Sequence, residues 1–204
     1  MIETYDFNHP HHSIVEASAL ADIYNYRLNT ITKRESAIAL PRKLSGDFHS
    51  LAISFDQQIL KGKPRERFWS YAEAEREIGK LQLNEAETIA ADTILNDMKV
   101  LTDMSNDEQD IHFIIIKGYN KDTLYQFHND RVAYRALCSY YGDPTEWIFY
   151  QNADPVRDNI YTPTINAVVN KFPDGTMVKF NQLFIHRAPI ETEDIPRLLL
   201  VANL

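Results

Sequence analysis

His128 and Asp130, separated by Asn129, set an imidazole and a carboxylate two residues apart at the end of the run Tyr125-Gln126-Phe127-His128. That run has the aromatic-rich composition of a β-strand, and residues two apart on an extended backbone share a face. The pair can therefore present a ring nitrogen and a carboxylate oxygen to one point in space. A third ligand is available at His186, in the strand-like Leu183-Phe184-Ile185-His186. Two neutral imidazoles and one carboxylate on one side of an ion suit Fe(II) and leave its other positions open for exchangeable ligands. His128, Asp130 and His186 are the candidate metal ligands and the candidate catalytic set.

Arg197 follows His186 by eleven residues and opens the last apolar run, in which Arg197, Leu199 and Val201 alternate with Leu198, Leu200 and Ala202. If the face carrying Arg197 looks inward, a buried guanidinium needs an anionic partner. Its fork of N–H groups matches a carboxylate bidentately, as lysine cannot. 2-Oxoglutarate would be such a partner, its keto-acid end filling two open iron positions and O2 the last. Arg135, on the strand after the His128–Asp130 turn, is the rival for this role. Arg187 directly follows His186, so alternation turns it to the opposite face, toward an ion pair or the substrate side.

These residues need a rigid frame, and the chain changes periodicity to supply one. Up to about residue 107 the apolar spacing is helical. Amphipathic stretches cover 14–28, 47–60 and 70–81, and Asn84 with Glu87 forms an N-cap and capping-box pair ahead of Ala90, Ile94, Met98 and Leu101. From residue 108 onward short runs rich in β-branched and aromatic residues recur between turns such as Gly142-Asp143-Pro144 and Pro173-Asp174-Gly175. Strands are expected near 111–117, 123–128, 132–140, 146–150, 165–171, 176–181, 183–187 and 197–203. About eight short strands suggest a sandwich or jelly roll. The expected architecture is α+β: residues 1–204 as a single domain, with a helical part over 1–107 packed on a β core over 108–204.

The order His-x-Asp, distal His and trailing Arg resembles the Fe(II)/2-oxoglutarate-dependent dioxygenase superfamily over residues 110–204. More narrowly, FHNDRVAYRALCSYYGDPTEW, FIHRAP and PRLLLVANL resemble an uncharacterised bacterial family with that fold. The resemblance implies a double-stranded β-helix, Fe(II), and 2-oxoglutarate consumed to succinate and CO2 as a small-molecule or peptide substrate is oxidised, usually by hydroxylation. It also implies a place at the pocket mouth for Thr145, Glu146 and Trp147. From the residues alone, Trp147 reads equally as core and Glu146 as solvated surface. Two other readings stay open: a cupin-like metal protein with non-oxidative chemistry, which would need no keto-acid clamp, and a module that senses a metal or a carboxylate.

The remaining features are plain. A net charge of −8 and a pI near 5.3 argue against nucleic acid or an anionic membrane as the main partner. No apolar run approaches the roughly 18 residues of a membrane span, the first residues lack a secretory apolar stretch, and one cysteine, Cys138, allows no intrachain disulfide. A soluble cytoplasmic protein is expected. Cys138 reads as a small buried hydrophobe, His49 and His112 as structural residues, and His9, His11 and His12 as a solvated tract in preference to a metal site. The stretch 151–164 reads as a strand-poor lid. Neither oligomeric state nor substrate identity is legible.

Overall fold

The computed structural model describes residues 13–25, 35–105, 110–117, 126–189 and 195–204. The His9–His12 tract, Tyr125 and the turn 118–122 lie outside the described residues.

Among the described residues, two sheets and four α-helices make a mixed α/β architecture. The large sheet has the order β1-β2-β11-β6-β13-β4-β3, where β1 is Ser13–Glu16, β2 Glu35–Leu40, β3 Arg65–Phe68, β4 Ile111–Ile116, β6 Tyr134–Tyr141, β11 Met177–Asn181 and β13 Arg197–Asn203. The small sheet runs β10-β7-β12-β5-β9-β8, with β5 Phe127–His128, β7 Glu146–Ile148, β8 Ala153–Arg157, β9 Ile160–Pro163, β10 Asn170–Lys171 and β12 Ile185–Arg187. All pairings are antiparallel except β1 with β2.

Period-two alternation sorts the side chains of the large sheet. Ile111, Phe113 and Ile115 of β4, Ala136, Cys138 and Tyr140 of β6, and Leu198, Leu200 and Ala202 of β13 face the helices in the main core. Their neighbours Ile114, Leu199 and Val201 cluster on the other face, toward the small sheet. The helices are α1 (Leu20–Asn25), α2 (Phe48–Phe55, continued by a π-helical turn at Asp56–Leu60), α3 (Tyr71–Ile78) and α4 (Glu85–Met104). The capping box expected for α4 is present: Glu87 N donates to Asn84 Oδ1 at 3.0 Å and Asn84 N to Glu87 Oε2 at 2.7 Å. Ala90, Ile94, Met98 and Leu101 are fully buried, so the helical spacing identified the core face of α4. That face also carries Asp97, which meets Arg42 (Nη1 to Oδ1 2.8 Å) and accepts the Tyr140 hydroxyl proton at 2.6 Å. Burial in the same cluster pushes the Cys138 thiol up to about 12, so it stays protonated. Among the described residues no helix is long and apolar enough to cross a membrane.

Four expectations are corrected. Residues 1–107 are not helical throughout, because β1, β2 and β3 lie there and join the large sheet. Glu35-Ser-Ala-Ile-Ala-Leu40 is Ala-containing and weakly marked as a strand, yet in β2 Ala37 and Ala39 pack toward the small sheet while Ile38 and Leu40 pack under the helices. Tertiary burial on both faces overrides local preference. Over the described residues of the expected helix 14–28, β1 is followed by the short α1. The expected lid 151–164 is a hairpin of β8 and β9 turning at Asp158-Asn159, where Asn159 has φ +60°. Its edge strand is mostly exposed and contains Pro155, so it lacks the apolar alternation that marks a half-buried strand. The strand expected over 165–171 shrinks to β10; Ile165 and Val168 are exposed and pair with nothing in the small sheet.

Candidate functional site

Antiparallel register assembles the three candidate ligands. His128 of β5 and His186 of β12 are directly opposed, with ring centroids 4.7 Å apart. Asp130, just past β5, reaches the same point: its Oδ1 is 3.8 Å from His128 Nε2 and its Oδ2 3.6 Å from His186 Nε2. One donor atom from each of the three lies within 4.8 Å of the others, the one such group among the described residues. Ligands about 2.1 Å from an ion and at right angles sit about 3 Å apart, so a small inward adjustment would complete a facial set.

The donor chemistry fits a metal. His128 Nδ1 lies 2.8 Å from the Gln126 carbonyl and His186 Nδ1 3.4 Å from that of Phe184. A carbonyl only accepts, so both Nδ1 atoms carry the proton and both Nε2 lone pairs face the common point. Burial lowers His186 to about 4, with the Asp130 charge opposing in part, so its ring is neutral at pH 7. Asp130 Oδ2 is buried and receives no directed hydrogen bond among the described residues, although Arg135 Nη1 stands 2.9 Å from it. It is an acceptor oriented toward the imidazoles. Asn129 ties the turn down by donating to the Gln182 carbonyl at 2.7 Å.

Both histidines line a cavity of about 350 Å³ between the sheets, together with Arg135, Thr145 and Arg197. Arg197 lies on the inward face of β13 and is 4% exposed. Its Nη2 donates to Ser139 Oγ at 2.9 Å and Thr145 Oγ1 at 2.8 Å, and its Nε has no partner among the described residues. No carboxylate among the described residues stands within ion-pair distance of it. Burial lowers its guanidinium to about 10, with the more distant Asp143 and Asp174 opposing, and it remains a cation at neutral pH.

Arg135 differs. It ion-pairs with Asp130 and donates Nε to Asn203 Oδ1 at 3.0 Å, so its charge is compensated and it orients a candidate ligand. Glu146 and Arg187 are directly opposed on the far face of the small sheet. There Arg187 Nε donates to Glu146 Oε2 at 2.7 Å, and the guanidinium covers the Phe127 ring at 4.3 Å. Glu146 thus lies away from the cavity and not at the pocket mouth, while Arg187 stands in an ion pair on the face to which alternation turns it from His186. Trp147 is in register with His186 but is 3% exposed and packed among Phe149, Phe172 and Phe184, as a wall of the aromatic core. Of the Thr145-Glu146-Trp147 stretch, only Thr145 lines the cavity.

Gly142 holds the turn beside Arg197. Its φ is +84°, and an added Cβ would lie 3.0 Å from Arg197 Cα and 3.1 Å from its Cβ. Gly142→Ala is expected to cost at least about 1–2 kcal/mol from the left-handed backbone alone, or about 2–8 °C in melting temperature for a chain this size. An unchanged thermal midpoint would contradict that assignment.

Sequence reasoning missed Arg65, Arg67 and His112, which also line the cavity. The available signal was the Arg-Glu-Arg-Phe alternation of β3, hidden in a region otherwise helical in spacing.

Two facing sheets enclosing a three-ligand cluster and a buried arginine define a mixed α/β protein with a candidate metal centre. The chain belongs to the family described as protein of unknown function (DUF1826), whose profile matches residues 16–202. No curated protein matches it. Among solved structures, an oxidoreductase of the 2OG-Fe(II) oxygenase family from Burkholderia pseudomallei is similar at 15% identity, over 95% of this chain and 94% of that one, with a TM-score of 0.36. Iron-bound HygX from Streptomyces hygroscopicus is similar at 12% identity over 81% and 80% of the two chains, TM-score 0.40. The Drosophila melanogaster CENP-C cupin domain is similar at 13% identity over 49% and 64%, TM-score 0.24.

Proposed function

We propose that this chain is an Fe(II)- and 2-oxoglutarate-dependent oxygenase whose sheets form a double-stranded β-helix, with residues 1–204 folding as one unit. The observation that carries the reading is Arg197: a buried cation, without a carboxylate partner among the described residues, in the same cavity as the His128, Asp130 and His186 cluster. A metal centre doing hydrolysis or isomerisation has no need of it. A distal carboxylate of a co-substrate would supply the missing charge.

His128, Asp130 and His186 would hold Fe(II), and Arg197 with the Thr145 hydroxyl would hold 2-oxoglutarate. When bound, these supply O2 activation coupled to the conversion of 2-oxoglutarate into succinate and CO2, with oxidation of a substrate C–H bond. The chain's own residues do the positioning. Arg135 fixes the Asp130 carboxylate, and the Gln126 and Phe184 carbonyls fix the two imidazole tautomers. Ile114, Ile116, Leu199 and Val201 line the walls with aliphatic groups that exclude water. The volume suits a small molecule or the tip of a peptide. With its one thiol, Cys138, buried and protonated, the fold calls for no oxidising compartment, in keeping with a cytoplasmic enzyme.

The test is anaerobic addition of Fe(II) and 2-oxoglutarate to the purified protein, reading the visible charge-transfer band of a chelated keto acid. Succinate is then measured after air is admitted. The wild type is expected to give both signals. Asp130→Ala is expected to lose Fe(II) affinity by at least about 100-fold, beyond the effect of losing an outer-shell partner. Metal binding without any keto-acid signal would replace this reading by the cupin-like one, and absence of metal binding would end both.

A further inference from the structure

In a chain of net charge −8, four arginines turn into one cavity: Arg65, Arg67, Arg135 and Arg197. Arg135 is matched by Asp130. Among the described residues, neither Arg65 nor Arg67 has a carboxylate within ion-pair distance. They stand two apart on the edge strand β3, so they share its inward face about 7 Å from each other. Arg65 pairs with Ile116 of β4, and Ile116 pairs in turn with Arg197 of β13. Two strand spacings therefore separate the Arg65 and Arg197 backbones, about 10 Å. The Arg65 and Arg197 backbones therefore stand at separate places along the cavity wall.

The outer Arg67 is held in place. The Arg67 guanidinium lies over the Trp69 ring at 4.6 Å, and Trp69 meets His112 edge-on at 4.9 Å. His112 faces the same cavity, is 8% exposed, and its Nδ1 has no hydrogen-bond partner among the described residues. Two cations and a histidine with an unsatisfied ring nitrogen line one volume.

We propose that Arg65, Arg67 and His112 form an oxyanion subsite distinct from that of Arg197, and that the substrate is a small anion held there by a carboxylate or phosphate group. The assignment of this anion as the oxidised substrate rests on the oxygenase reading; the binding of an oxyanion by these three residues does not. Arg65 and Arg67 clamp the charge through bidentate N–H donors, His112 Nδ1–H donates to a further oxygen, and the aliphatic floor of Ile114 and Ile116 carries the rest of the molecule toward the three-ligand cluster.

The test follows the His112 ring by NMR in the metal-free protein at low ionic strength, where charge attraction is least screened. The signal is identified by its loss in His112→Asn. Inorganic phosphate and acetate are titrated separately into the wild type, Arg65→Gln/Arg67→Gln, Arg65→Lys/Arg67→Lys and Arg197→Gln, each first checked for a native circular dichroism spectrum. A saturable shift is expected with at least one probe, and the tighter probe names the anionic group. The double glutamine variant is expected to bind at least about tenfold more weakly, the double lysine variant to fall between it and wild type because it keeps the charge but not the bidentate fork, and Arg197→Gln to bind within about threefold of wild type. A His112 signal that neither probe moves overturns the proposal, as does unchanged binding in the double glutamine variant. Loss of the response in Arg197→Gln alone would assign the anion to the inner arginine and overturn it as well. A wild type that shows the His112 response but no keto-acid band would retain the subsite and discard the oxygenase.

Discussion

Arg197→Met is expected to raise the thermal stability of the ligand-free protein and, in the same variant, to weaken 2-oxoglutarate binding by at least about 100-fold, equivalent to about 2.7 kcal/mol. The two effects share one cause. Arg197 is 4% exposed and offered only the hydroxyls of Ser139 and Thr145, with its Nε unsatisfied among the described residues. Burial opposes its charge, lowering its guanidinium from the ordinary value to about 10, which corresponds to a cost on the order of 3 kcal/mol in the folded state. Methionine matches much of the stem and removes the charge. Replacing buried charge by apolar volume is commonly neutral or stabilising by about 1–4 kcal/mol. Differential scanning calorimetry without ligands and a titration of the Fe(II)-loaded protein with 2-oxoglutarate measure the two halves. A variant that melts well below wild type would show that Arg197 has a structural partner. Keto-acid affinity within about threefold of wild type would move the clamp to Arg135.

Asp97→Ala is expected to cost about 3–5 kcal/mol, because it leaves Arg42 half-buried without its partner and removes the acceptor of the buried Tyr140 hydroxyl. For a chain of this length that is about 6–20 °C in melting temperature. The Arg42 side chain is 18% exposed, which favours the lower half of that range. Burial holds the Tyr140 phenol well above its ordinary value, so its hydroxyl donates at every pH the fold tolerates. This cluster lies on the helix side of the large sheet, so Fe(II) binding by the surviving folded protein should be unchanged. A urea midpoint shifted by less than the equivalent of about 1 kcal/mol would mean that solvent already screens the pair. An Arg42→Ala, Asp97→Ala double-mutant cycle would separate pair energy from lost packing.

Much of the candidate site was legible because its geometry is local. His128 and Asp130 are two residues apart in sequence, although β5 ends at His128 and it is the turn after it that brings Asp130 to the same point. The two-residue period in β13 splits Arg197, Leu199 and Val201 from Leu198, Leu200 and Ala202. The helix α4 was legible from its capping box and the spacing of four buried apolar residues. Less legible were features set by partners distant in sequence. β2 is a strand because it lies between β1 and β11 with both faces covered, not because Glu35–Leu40 has strong strand preference. The hairpin of β8 and β9 was hidden by its exposure, which erases the alternation that reveals a half-buried strand.

The sequence by itself determined the chemical types and their order: two imidazoles, one carboxylate and a trailing guanidinium, each in a segment whose period fixes which neighbours share its face. Only the tertiary structure decided which of several arginines is which. Cross-strand register set Arg187 against Glu146, the turn after β5 set Arg135 against Asp130, and the inward face of β13 left Arg197 with two hydroxyls. The edge position of β3 brought Arg65 and Arg67 into the same cavity from a part of the chain that read as helical. The physical reason is range: side-chain alternation is fixed within a few residues, whereas charge compensation depends on which strands become neighbours, and that is settled by burying two sheets and four helices together.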